Sequence, residues 1–293
     1  AGNATLFYSM SGRVDLCRSH FEVALRNARL SGDERILLGA LGNAYISLTH
    51  PDDWSFRAEL AAEMLALAER VDDDDSRFEA LHLYFSTQIQ FGDPLLRTTF
   101  ARQEALAIRL RSAGRLWMAG YQRACLAHLE GRLDDALAIG ADIFERAPVA
   151  RSRSMTTYWM NVLVVRLAQG RGQELAAEIE AIIEQQPGLP GWRAVAAWLA
   201  ALRGEHDRVR RECDLLRGGA ALPRDMAWSG AAMLLGRAVA ATGDPQRSRV
   251  LATTLAPYTG MMTWIGSCTV GPFDQALAEL AVASGDDAAA LRF

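Results

Sequence analysis

GRLWMAGYQRACLAHLEGRLDDALAIGADIFERAP, residues 114 to 148, is the stretch whose reading decides the fold. Ala124 is followed by Gly131 seven residues on, Ala136 five later and Pro148 twelve later. Before Gly131, Leu116, Met118, Tyr121, Leu126 and Leu129 give a broad apolar surface, and after it Leu133, Leu137, Ile139, Ile143 and Phe144 give another. Two helices that turn at Gly131, approach closely at Ala124 and Ala136, and stop at Pro148 satisfy this pattern. One such hairpin cannot bury both surfaces by itself, so it must stack on neighbours.

The neighbours are written in the same register. Turn glycines Gly92, Gly131 and Gly170 are 39 apart twice, and Gly204, Gly243 and Gly285 follow at 34, 39 and 42. A period in that range is one helical hairpin per repeat. Seven residues before the turns stand Ala124, Ala197, Gly236 and Ala278, with Phe85 and Leu163 as exceptions. The order of small residue, turn glycine, small residue and terminal proline resembles the tetratricopeptide repeat, as does LGNAYISL, Leu41 to Leu48. The expected fold is all-α, a superhelical array of antiparallel helix hairpins forming a tetratricopeptide-like α-solenoid. Residues 1–293 are expected to be a single repeat domain and a fragment of a longer chain.

Along the chain, residues 1–10 read as the end of a helix, and Gly12 opens a second helix carrying Cys17, Phe21, Ala24 and Leu25 as packing residues. Asp33 is placed to cap the helix that follows. His50, Pro51 and Asp52 make a turn, and helices are expected from about Trp54 to Val71 and from Ser76 to Gln90. Pro187, Pro190 and Pro223 fall between hairpins, where a missing donor does least harm. The stretch Pro257 to Gly271 breaks the pattern: it reads either as a packed connector or as a lid or contact loop.

Composition narrows the chemistry. The chain contains no lysine, so all 31 basic residues are arginine, and neither a Walker-type phosphate loop nor an amine nucleophile is available within it. A net charge of −4 with no basic arm argues against direct nucleic-acid binding. Cys17, Cys125, Cys213 and Cys268 are too scattered for a zinc site or a disulfide framework and are expected as buried thiols. No apolar run reaches the length of a membrane span, and a cytoplasmic location without membrane contact is expected. No cofactor is expected.

The C-terminal motifs carry a second resemblance. LAPYTG (Leu255 to Gly260), GPF (Gly271 to Phe273) and LAELAVASGDDAAALRF to the end resemble the helical tail of large actinobacterial signal-transducing ATPases. In that family the final motif runs through glycine, a small residue and an aromatic, matched by Gly285, Ala289 and Phe293, although Arg292 stands where histidine is usual. The resemblance implies an attached ATPase and an output domain, either LuxR-type or a nucleotide cyclase, in a longer chain.

Catalysis finds little footing in these residues. The acidic run Asp72 to Asp75, with Glu79, is similar to the aspartate-rich metal sites of helical isoprenoid enzymes, but no second acidic motif accompanies it. The same run reads as the capped start of a helix. The chain is therefore read as a non-enzyme that binds a protein segment or a small-molecule effector. A free-standing protein-protein adaptor is the alternative, and an all-α metal-dependent isoprenoid enzyme the less favoured one.

Trp117, Trp159, Trp192, Trp198 and Trp228 all fall in first helices. In the tetratricopeptide family, one face of successive first helices lines the binding groove. The register names that face as Glu79, His82, Ser86, Met118, Tyr121, Cys125, His128, Met160, Val164, Trp198, Met233 and Arg237. Core packing is the competing reading for the apolar members of this set.

Overall fold

The computed structural model describes residues 14–146 and 151–293, with the side chains of 14–17 and 151–156 left aside. The helix end expected at 1–10, Gly12, Pro148 and the Cys17 side chain therefore lie outside the described residues. Fifteen α-helices and no strand occur among the described residues. The chain divides into two compact units, Ala1–Tyr158 and Trp159–Phe293.

In the first unit, α1 (Val14–Ser31), α2 (Glu34–Ser47), α3 (Trp54–Arg70), α4 (Asp74–Phe91), α5 (Leu96–Leu110), α6 (Ala113–Leu129) and α7 (Leu133–Glu145) each pack on the next. The alternate helices α2, α4 and α6 also touch in sequence. Phe21, Leu25, Leu41, Tyr45, Leu60 and Leu67 form one apolar core, and Phe78, Leu81, Leu106 and Ala119 form another. Helix α8 (Arg151–Ala168) spans the boundary between the units.

In the second unit, α9 (Ala176–Gln185), α10 (Gly191–Leu202), α11 (His206–Leu215), α12 (Trp228–Ala240), α13 (Pro245–Leu255), α14 (Phe273–Ser284) and the short α15 (Asp287–Ala290) repeat the hairpin plan. Here α10, α12 and α14, the first helices of three successive hairpins, pack directly on one another.

Helix boundaries follow the local chemistry. Asp33 Oδ1 accepts from the amides of Arg35 at 2.8 Å and Ile36 at 3.2 Å, satisfying two donors that the first turn of α2 leaves free. Asp244 caps α13 in the same way, with Pro245 at the first helical position. All six turn glycines in the register have positive φ, between 64° and 76°, the left-handed conformation that ends a helix and that a Cβ disfavours.

The stretch between α13 and α14 is a packed connector. An isolated antiparallel bridge joins Met262 to Pro272, and the Thr263 and Thr269 side chains are fully buried. The Thr263 hydroxyl donates to the Gly271 carbonyl at 2.9 Å and accepts from the Val270 amide at 3.1 Å. Its one proton is thereby used, so the Thr269 hydroxyl, 3.1 Å away, donates to it. Ser229 fastens the loop to α12 by donating to the Trp264 carbonyl at 2.9 Å and accepting its amide at 3.1 Å. Replacing Thr263 by the isosteric valine strands the Thr269 hydroxyl and the Val270 amide. A loss of about 2 kcal/mol in unfolding free energy is expected, and an unchanged urea midpoint would show that these buried bonds carry no net stability.

Candidate functional site

Two clusters gather most of the register residues, one in each unit. In the first unit, His82 of α4 is the hub. Its ring stacks on Phe78 and meets Tyr121 edge-on, and Trp117 meets Tyr121 in turn. Tyr121 Oη lies 3.0 Å from His82 Nε2, and Gln103 Nε2 lies 3.3 Å from His82 Nδ1. With the Gln103 amide donating to Nδ1, His82 carries its proton on Nε2 and donates to the tyrosine oxygen. Gln122 and Ser86 both donate to the His82 carbonyl, at 3.2 and 3.3 Å. Ser86, His82 and Tyr121 are all buried, so this cluster is a closed polar core.

At the N-terminal end of α4 the charges are more open. Arg115 pairs with Glu79 and with Asp75 at 3.2 Å, lies over the Phe78 ring, and approaches the Met118 sulfur at 3.9 Å. Glu79 and Met118 are half-buried. The acidic run is committed to the helix start. Asp73 accepts from the Ser76 amide and hydroxyl, whose bonds hold its carboxyl below the usual range. Asp74 is held low by Arg109 and then Arg77, while Arg77 also reaches the exposed Asp72 at 3.2 Å. Among the described residues no three His, Cys, Asp or Glu side chains come together as a metal-holding group.

Cys125 is fully buried in α6, and His128, one turn on, is half-buried with Nδ1 lacking a partner. Burial pushes the His128 imidazole below its ordinary value, so it is held neutral. Val164 is buried in α8, whereas Met160 is half-buried.

The second cluster is a row across three helices. Trp198 on α10, Arg237 on α12 and Glu279 on α14 each stand six residues before their turn glycines, Gly204, Gly243 and Gly285. The Arg237 guanidinium lies 4.2 Å from the Trp198 ring centroid, and its Nε donates to Glu279 Oε2 at 2.9 Å. All three are partly exposed, the Arg237 side chain at 18 % and Glu279 at 35 %. Met233, one turn before Arg237, is fully buried.

Cys125, Val164 and Met233 thus belong to the core, and Trp198 and Arg237 to a partly open surface. Glu279 stands six residues before Gly285, where the turn register reaches it, but the face named from the sequence ends at Arg237 and includes no residue of α14. Gln103 and Gln122 were missed because a glutamine in an amphipathic helix gives no sign of being fully buried.

The second unit also has a cleft of about 340 Å³ lined by Cys213, Asp244, Gln246 and Arg247. Its arginine is engaged by Asp214 at 2.5 Å and Asp244 at 3.1 Å, and burial pushes the Cys213 thiol up, away from the reactive thiolate. No helix among the described residues is long and apolar enough to cross a membrane. No family model matches this chain, and no curated protein or solved structure matches it.

Proposed function

We propose that this chain is a helical-hairpin repeat module that binds a protein segment or a small effector on the face formed by α10, α12 and α14. The observation that carries this reading is the Trp198, Arg237 and Glu279 row. Three successive first helices contribute one side chain each from the same register position, and the three side chains already touch. An indole supplies flat apolar area, and a guanidinium held by both the ring and a carboxylate costs little to order on binding. Such a surface recognises a ligand by its faces, without covalent chemistry.

The resemblance of the C-terminal motifs supports a regulatory setting. In it the module sits in a cytoplasmic protein, makes no direct contact with nucleic acid, and biases an attached ATPase and its transcriptional or cyclase output. That bias requires a ligand whose affinity differs between two states of the whole protein.

The test is selection of ten-residue peptides displayed on phage against the full chain. The wild type should enrich a related set of sequences, and Trp198→Ala with Arg237→Ala should weaken the best of them by about a hundredfold, as expected for losing an aromatic and an arginine anchor. Helicity should be unchanged, because both side chains are partly exposed. Failure of the wild type to enrich any sequence, or equal binding by the double variant, would remove this face from consideration.

A further inference from the structure

The row on α10, α12 and α14 has its acceptor occupied and its donors free. Arg237 Nε donates to both Glu279 oxygens, at 3.1 and 2.9 Å, so one edge of the guanidinium is closed. Its face is covered by the Trp198 ring, whose centroid lies 4.2 Å from the guanidinium carbon. The terminal edge remains. Among the described residues Arg237 Nη1 and Nη2 make no hydrogen bond, and neither is shut off from solvent. The indole N–H of the half-buried Trp198 likewise donates to nothing among the described residues and is open to solvent.

An indole N–H and a guanidinium only donate, and the one carboxylate of the row already receives Nε through both its oxygens. A ligand that pairs with this surface must therefore accept. The groups whose oxygens match a guanidinium edge are the carboxylate and the phosphate. Charge decides between them. Glu279, on the other edge of Arg237, already neutralises that cation, so a near-dianionic phosphate would set its second charge against the glutamate, whereas a carboxylate brings only one.

The surroundings of the row say what carries that carboxylate. Leu202, Ala241 and Ala283 stand two residues before the same three turn glycines, one helical turn on from the row and on the same side of their helices. Leu202 is 49 % exposed, Ala241 is exposed and Ala283 half-buried, so an uncharged apolar strip borders the donors. Neither end of the row is walled, since Trp198 and Glu279, its outer members, are both partly exposed. A row open at both ends suits a chain that passes across it and offers a side chain, not one that terminates there.

Resting on the reading of this face as a binding surface, we propose that its occupant is an extended protein segment with one internal aspartate or glutamate, whose carboxylate accepts from Arg237 Nη1 and Nη2. Apolar residues of the segment lie on Trp198 and on the strip beside it. Glu279 holds the guanidinium in place and repels a second carboxylate, which makes the partner neither polyacidic nor phosphorylated.

The probes are two libraries of ten-residue peptides fused to a phage coat protein and so lacking a free C-terminal carboxylate. One central position is aspartate in the first library and asparagine in the second, and the other positions are random but exclude Asp and Glu. On the full chain the aspartate library should enrich a related set and the asparagine library should not. Enriched peptides, synthesised with acetylated and amidated ends, should bind the wild type about tenfold or more weaker once the aspartate is replaced by asparagine. Arg237→Gln should bind both forms equally weakly. A second aspartate two residues along, on the same side of an extended segment, should weaken binding to the wild type but not to Glu279→Gln. Peptides that depend on Trp198 and Arg237 yet bind equally with aspartate or asparagine overturn the carboxylate while leaving the face a binding surface. Enrichment from neither library overturns both. An equal loss on the aspartate to asparagine change in wild type and Arg237→Gln also overturns the proposal, because the carboxylate is then read elsewhere. A second aspartate that the wild type tolerates overturns the restriction to one carboxylate. The first comparison is between peptides on the unaltered chain, so it decides the matter even if a variant fails to fold.

Discussion

Phe85→Ala is expected to destabilise the first unit by about 4 kcal/mol, the usual cost of deleting a fully enclosed phenyl ring. Phe85 stands seven residues before Gly92, where four of the other five hairpins place alanine or glycine. By repeat statistics alone, alanine here would restore the pattern and improve stability. The structure gives the opposite sign. Phe85 has no exposed surface, and its ring centroid lies 5.8 Å from that of Phe100 on α5, so the ring is the material that fills the α4 and α5 interface. Removing it leaves a cavity that two helices joined by a short turn cannot close by sliding. Urea unfolding measures the loss, with Phe85→Leu as a milder control at about 1 kcal/mol. A loss below 1 kcal/mol for the alanine variant would mean that α4 and α5 pack through other residues.

The turn glycines made the fold legible, because a left-handed helix end selects glycine for a local reason that does not depend on what the helices pack against. Gly92 and Gly131 announce themselves in the sequence, and so does Asp33 as a cap. The interior was less legible. The apolar faces were visible as periodicity, but Gln88, Gln90, Gln103 and Gln122 are all buried at positions where the sequence gives no warning. A helix with polar residues inside looks in sequence like one with polar residues outside, and only the partners decide.

The candidate site was legible in the same uneven way. Register arithmetic named residues that do meet, His82 with Tyr121 and Trp198 with Arg237, because equal offsets from successive turns put side chains at equal heights on adjacent first helices. It did not separate depth from surface. Positions six before the turn hold Cys125 and Val164 in the core but Trp198, Arg237 and Glu279 on a partly open face. How deeply the next helix covers a position depends on side-chain volumes in that neighbour, which a count of residues does not contain.

Gly120→Leu is expected to destabilise the first unit by about 3 kcal/mol, near the upper end for overpacking a closed interface. Gly120 lies within α6 in ordinary helical geometry, where glycine costs about 1 kcal/mol relative to alanine, so its backbone freedom gives no benefit there. Its small size does. A Cβ built at this position would stand 2.3 Å from Ile143 Cγ2 on α7, well inside contact distance. The facing surface of α7 is equally spare, with Ala136 and Gly140 as its buried residues. Two helices meeting through such residues approach closely, and Ile143, branched at Cβ, has little freedom to swing its γ-methyl away. Gly120→Ala should lose less, because the gain in helix propensity offsets part of the clash. The decisive measurement is the double variant Gly120→Leu with Ile143→Ala, which removes the methyl group in the way. If the clash is the cause, the two substitutions together should cost at least about 1 kcal/mol less than the sum of their separate costs. Strict additivity would mean that the leucine strains something other than the contact between α6 and α7, and that the small residues on either side of Gly131 do not set the spacing of this hairpin.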